Sequence, residues 1–575
     1  LAGGVAAVGG ALLTVGGTLG GDDAAIRALG GGGPVPTFAL ETVLGPLAAA
    51  LPLGNVSQRL AFVAVGALAL FAREVALGAA TLLHARASTD KSRPVVVPMV
   101  LAGAFAAFAP ALFPATVGGS FAVFSLLLLT ATVAACAAND HGRALPIAAL
   151  LLGHEPVLGL LAVGLVLATR EHPRTIPPTE TLLRAAACFG APLIAALIVG
   201  IPSPFGAEGE DLFRHVFGGR RPFDAPLPTL LPLGLLPLPL ALLGLVAALR
   251  EASPPVPAKS SARRCAQAVL ALAVIAFAAP RFAPIPALSG LALAPIALLA
   301  PFIGLGIVTL GDLVRSTGVR WADATRLAFA LLLLAVIVRD VDRTVEKDGA
   351  RARAAVGLLL AARVPTGTLL LGDDAPTDRF LAASRLRGEL GHDLIVLPLR
   401  ALGGRRATRW AAGTEGTAPH LRTALIGNVV LQGFVAARTE SELATVRPIA
   451  SLRGNFLDPK SLRTLVPGGP IALIAAEPRG PSDRLAAARA FLPIREAAAA
   501  ALHEAHDEEA TRVAQRLLRA RLLLLAALAD RDPLAAAIDD LRRLAPEDRL
   551  AAEATKRMLL NRAVSLSDFA GLVRE

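Results

Sequence analysis

The sequence predicts an α-helical polytopic membrane protein of about eleven transmembrane helices, followed by an extracytoplasmic α/β segment and a helical tail. Three observations predict this class. Of the 575 residues, 54% are hydrophobic, and the mean hydropathy is +0.61. Charged residues make up only 18%, against roughly 25% in soluble domains. The apolar residues are gathered into long runs before about residue 340, and the charged residues lie between those runs and after them.

A spanning helix needs about 20 apolar residues. The runs that approach this are 1–20, 58–82, 95–113, 121–138, 144–153 with 156–169, 180–202, 227–249, 265–280, 285–309 and 324–339. The chain begins with Leu1, and Leu1–Gly20 is read as the remainder of a first transmembrane helix rather than a signal peptide, because it has no charged leading segment. The pair 144–153 and 156–169 is read as two short helices meeting at "GHEP". One continuous helix would put His154 and Glu155 in mid-membrane, which is costly, and would separate Arg143 from Arg170. Pro156 then opens the second helix, where its missing N–H costs nothing.

With that turn in place the basic loops fall on one side. Arg86, Lys91 and Arg93, then Arg143, then Arg170 and Arg174, then Lys259, Arg263 and Arg264 all read as cytoplasmic. Loops 21–57, 114–120 and 203–226, the His154 turn and the C-terminal region fall on the other side, which places the C-terminal region outside the cytoplasm. The net charge of +11 is explained by these loops lying against anionic membrane lipid, and no basic stripe interleaved with aromatics points to nucleic acid. Cys136, Cys188 and Cys265 each sit inside an apolar run and read as small buried hydrophobes.

The expected domains are 1–340, 341–480 and 481–575. In the second, Thr368–Leu371 and Leu394–Leu397 are short apolar runs flanking a helical pattern, a βαβ-like signal. From about Ser482, Ala-rich amphipathic runs broken at "DRDP" and "LAPED" suggest tetratricopeptide-like helical hairpins.

Asp22 and Asp23 stand at the mouth of the first apolar run. Such carboxylates can act as a general base or bind a divalent cation, and they can equally cap the next helix. His154 and Glu155 are ionisable groups at a turn between membrane helices, a functional candidate by position, with an interfacial turn as the plainer reading. Loop 203–226 carries Arg214, Arg220 and Arg221, which suit a phosphate, alongside four acids that suit a solvated loop. "GDD" at 372–374 reads as a turn, "HEAHDEE" at 503–509 as a solvated face, and no metal site is expected from either. "GGGG" at 30–33 is not a phosphate loop, since no Lys-Ser/Thr follows.

The stretch "DDAAIRALGGGGPVPTFALETVLGPLAAALPLGNVSQRLAFVAVGALALF", the blocks "LFPATVGGSFAVFSLLLL" and "LLLGHEPVLGLL", and the later "TGTLLLGDDAPTDRFLAASRLRGELGHDLIVLPL" resemble a bacterial polytopic membrane family of long-uncharacterised function. That family is related to the transmembrane protein O-mannosyltransferases of the glycosyltransferase C superfamily. The resemblance implies a glycosyltransferase-C-like fold and sugar transfer from a polyprenyl-phosphate donor to a protein or glycan acceptor outside the cytoplasm. It places the catalytic aspartate on Asp22, with Asp23 as the alternative, and a catalytic-site histidine on His154. Arg27, Arg214, Arg220 and Arg221 would then stabilise the leaving phosphate.

Three family polar positions are absent: Ala24, Ala25 and Ile26 replace a glutamate, Gly33–Thr37 keeps Pro36 but lacks a histidine, and Gly118–Gly119 replaces an acid. These departures define the alternative, a catalytically inactive membrane scaffold. A transporter of lipid-linked sugar is a third class, and it would need polar residues deep in several helices or an inverted repeat.

Overall fold

In the computed structural model the described residues are chiefly 56–86, 96–113, 121–170, 178–198, 237–250, 257–282, 293–316, five short strands between 369 and 474, and 531–559, with isolated positions elsewhere. Contacts divide the chain into two units, one of 1–30 with 36–346 and one of 31–35 with 347–575.

The first unit is helical. Its described elements are α1 (Val56–Arg86), α2 (Val96–Ala107), α3 (Ala122–Ala137), α4 (His141–His154), α5 (Pro156–Thr169), α6 (Thr179–Ile198), α7 (Pro237–Arg250), α8 (Pro257–Phe282) and α9 (Ala294–Ser316). The reason they form one body is visible on α1. Leu60, Leu68, Phe71 and Val75 recur at helical spacing and are fully buried, while Phe62 and Leu70 on the other face are half exposed. The buried side packs into a core shared with Phe105 of α2, Leu126 of α3 and Phe302 of α9. The outward apolar side chains have lipid as their natural solvent.

The expected fold class does not hold. Among the described residues three helices are long and apolar enough to cross a membrane, Arg59–Ala85, Ser261–Ala278 and Ala294–Val314, rather than eleven. Four of the remaining apolar runs form shorter helices: α2, α3, α5 and α7 have 12, 16, 14 and 14 residues. At about 1.5 Å per residue, a 14-residue helix reaches about 21 Å, short of the roughly 30 Å hydrocarbon layer. The cuts have local causes. The run 95–113 leaves the helix after Ala107, just before Pro110, and the described helix in 227–249 begins at Pro237. The expected spans 1–20 and 324–339 lie outside the described residues apart from single positions. The three long helices make the chain an integral membrane protein.

The second unit also departs from expectation. Its described strands are β1 (Leu369–Gly372), β2 (Ile395–Pro398), β3 (Leu443–Thr445), β4 (Leu465–Pro467) and β5 (Ala472–Ile474), in one sheet of order β2-β1-β3-β5-β4. β1 pairs in parallel with β2 and β3, with Leu370 opposite Val396 and Ala444. β3 pairs antiparallel with β5, and so does β4. Within 341–480 the described residues are strands alone, in mixed directions; β1 and β2 fall at the two expected apolar runs, and the stretch between them where a helix was expected lies outside the described residues.

The tail is represented by α10 (Arg531–Leu544) and α11 (Arg549–Leu559), with helical residues 514, 515, 518, 519, 521 and 522 packed on them. α10 buries Leu534, Ala537, Ile538 and Leu541 and exposes Asp539, Arg542 and Arg543, an amphipathic pattern suited to packing in water. A tetratricopeptide-like repeat has no support in this pair of helices.

Candidate functional site

Of the residues expected to carry chemistry, His154 and its neighbour Glu155 are among the described residues. Asp22, Asp23, Arg27, Arg214, Arg220 and Arg221 lie outside them, so their approach to His154 is not part of the described structure.

The His154 corner is built from its glycines and proline. α4 ends at His154, Glu155 takes an extended conformation (φ −136°, ψ 98°), and Pro156 begins α5. The Glu155 N–H donates to the Leu151 carbonyl at 2.7 Å and the Gly159 N–H to the Glu155 carbonyl at 2.8 Å, so the backbone stays hydrogen-bonded through the turn. A side chain at Gly159 would overlap the backbone of Leu152, and one at Gly153 would overlap the Phe189 carbonyl of α6. α4 therefore meets α5 and α6 with almost no space at either contact. Inside the corner His154 is fully buried and Glu155 is 2% exposed. The His154 Nδ1 accepts the main-chain N–H of Leu40 at 3.2 Å. That bond assigns the proton of a neutral ring to Nε2 and ties Leu40 to the corner.

A second polar centre was not singled out in the sequence. Glu74 lies on α1 with its side chain 8% exposed. Arg73 Nη1 donates to its Oε1 at 2.7 Å, and Arg143 Nη2, from the first turn of α4, donates to its Oε2 at 3.3 Å. The signal was present as a charged pair interrupting the apolar run 58–82. Among the described residues, no group of three or more His, Cys, Asp and Glu side chains is placed to hold a metal ion.

No family model, curated protein or solved structure matches the chain. The family resemblance therefore supplies expectations, and the site is argued from its geometry.

In the tail, Asp548 is a hub. It accepts from Gln515 Nε2 at 2.7 Å and Arg519 Nε at 2.6 Å, and caps α11 by accepting the N–H groups of Leu550 at 3.0 Å and Ala551 at 3.3 Å. Burial alone would push its carboxyl up. The hydrogen bonds from Gln515 and Arg519, the Arg519 charge and the Ala551 amide outweigh burial and hold it below the ordinary carboxylate value. Beside it is an open cleft of about 510 Å³ lined by Gln515, Arg519, Glu547 and Arg549.

A depressed folded-state value means that Asp548 contributes stability above the unfolded carboxylate value, and that this is lost as pH falls through the lower folded one. Acidification from about pH 6 to about pH 2 is expected to release hydrogen-exchange protection in α11, and Asp548→Asn should remove most of that pH dependence while lowering protection at neutral pH by ~2 kcal/mol. An α11 whose protection falls identically with pH in both chains would contradict this role.

Proposed function

We propose that this chain is a membrane scaffold, in which the helical unit is the membrane anchor and the helical tail serves as the interaction module. The observation that carries this reading is the His154 corner. Its histidine ring is enclosed, with one nitrogen committed to the Leu40 amide, and its glycines admit no side chain. These are the properties of a fastening. A general acid or a phosphate ligand needs a face open to its substrate. The replaced family positions, Ala24 to Ile26 and Gly118–Gly119, agree with a loss of polar groups. Placement in a bacterial inner membrane belongs to the same proposal and follows the family resemblance, and the position of the C-terminal region outside the cytoplasm rests on the distribution of arginine and lysine between loops.

Glycosyl transfer is the second reading, and the burial of two ionisable residues side by side at His154–Glu155 favours it. In that reading Asp22 or Asp23 takes the acceptor proton, and Arg27, Arg214, Arg220 and Arg221 steady the departing polyprenyl phosphate.

Glycoproteomics of surface and periplasmic proteins separates the two. The strains are a deletion and the deletion complemented with wild type, with the Asp22→Asn/Asp23→Asn double variant, or with His154→Gln. The scaffold reading expects the same glycans in every strain. A glycan that disappears in the deletion, returns with wild type and stays absent with the aspartate double variant would establish sugar transfer instead.

A further inference from the structure

The cleft beside Asp548 presents a guanidinium that is held on one edge and open on the other. The Asp548 side chain is fully enclosed, while that of Arg519 is 32% exposed. Arg519 donates its Nε–H to Asp548 Oδ2 at 2.6 Å. A guanidinium has five N–H donors, four of them on its two Nη atoms. Among the described residues those four have no partner, and Arg519 lines the cleft. Asp548 is itself fixed by Gln515 and by the Leu550 and Ala551 N–H groups, so the carboxylate that orients Arg519 has little freedom. The fork of Nη donors is therefore preorganised, which lowers the ordering cost of binding.

A planar fork of this kind suits a carboxylate or a phosphate, held through two parallel hydrogen bonds. Charge and shape favour the carboxylate. Arg519 and Arg549 are matched by Glu547 and Asp548, so the cleft has no net charge with which to hold a phosphate dianion. Ala545 and Pro546 give it an apolar wall, and Gln515 keeps Oε1 as an acceptor after its Nε2 has bonded Asp548. The last residue of a peptide offers a group to each of these: a terminal carboxylate, an apolar side chain and a main-chain N–H. The volume of about 510 Å³ falls within the roughly 300–1,000 Å³ usual for ligand pockets, and the open mouth leaves room for the preceding chain.

We propose that this cleft binds the C-terminal carboxylate of a partner protein through the Nη donors of Arg519. Asp548 is a positioning residue, aiming the guanidinium without touching the peptide. The inference names the partner of the tail and so rests on the scaffold reading.

The probe is a library of N-acetylated peptides with randomised C-terminal positions, made once with a free carboxylate and once as amides. Both pools are presented to the full chain in detergent. Wild type is expected to retain the free acids over the amides by on the order of tenfold. Arg519→Lys keeps a cation that can bond Asp548 but removes the fork, so the ratio should fall to about one with hydrogen-exchange protection of α11 retained. Ala545→Glu adds a carboxylate to the cleft wall and alters none of the groups bonded to Asp548. It should also bring the ratio to about one, and it decides the matter if Arg519→Lys unfolds α11. Arg543→Gln, exposed on α10 outside the cleft, should leave the ratio unchanged. Equal retention of the two pools by wild type, or a ratio that survives Ala545→Glu, would overturn the proposal. So would release of the free acids by millimolar inorganic phosphate, which would assign the fork to phosphate. The glycan comparison judges the scaffold reading separately. Unchanged glycans without a free-acid preference would remove the cleft and keep the scaffold, and a free-acid preference beside a lost glycan would keep the cleft and remove the scaffold.

Discussion

Gly306→Val is expected to abolish the folded membrane unit, with loss of the monodisperse species in detergent and a stability cost above ~3 kcal/mol. α7 and α9 cross with their backbones almost in contact. A β-carbon on Gly306 would overlap the Leu240 carbonyl oxygen and lie 2.7 Å from its carbon, and one on Gly244 would overlap the Phe302 carbonyl oxygen and lie 2.7 Å from the Gly306 nitrogen. The neighbour in each case is backbone, which cannot rotate away as a side chain can. Close approach of this kind holds membrane helices together by dispersion, where lipid removes the hydrophobic drive between them. The effect is large because α7 has only 14 residues and is too short to span the bilayer by itself. Gly311→Ala is the matched control, on the same helix with nothing within 4 Å of the added carbon, and is expected to be neutral or slightly stabilising. If Gly306→Val eluted and melted like Gly311→Ala, the α7–α9 crossing would not have the closeness described.

The same crossing shows what could be read in advance. Apolar content marks a segment that avoids water, and the helices α1, α8 and α9 lie in runs found that way. It does not separate a helix that faces lipid from one covered by protein, so α2, α3, α5 and α7 were counted as spans although their lengths fall short. The break at Gly153–Pro156 was legible because a proline beside two ionisable residues admits few alternatives. The partner of Glu74 was not, since Arg143 lies 69 positions away and only the packing of α4 beside α1 brings it near. β3, β4 and β5 have three residues each, too few to show alternation. In the tail the amphipathic pattern was visible, but the pairing of Arg521 with Asp540 depends on which turn meets which.

Asp540→Ala should cost the tail ~3–5 kcal/mol, about as much as a deleted core leucine. Arg521 is 2% exposed and donates from Nη1 to Asp540 Oδ2 at 3.1 Å, with the Asp540 side chain 8% exposed. Removing the carboxylate takes the Asp540 acceptor away from an enclosed guanidinium. Hydrogen exchange of α10 and α11 in the full chain reads the loss directly. The double replacement Arg521→Met/Asp540→Leu separates charge from packing. It removes both ions and keeps the volume apolar, so protection is expected to return to the wild-type level or rise above it by ~1–4 kcal/mol. If Asp540→Ala and the double replacement were equally damaging, the pair would be holding the helices by shape alone. If Asp540→Ala cost nothing, the ion pair would not be closed in solution. The expected pattern, a costly single change and a tolerated double one, means the pair selects one register of the tail helices and adds little net stability. An interaction module needs that property, because it presents a surface only as reliably as its helices keep their register.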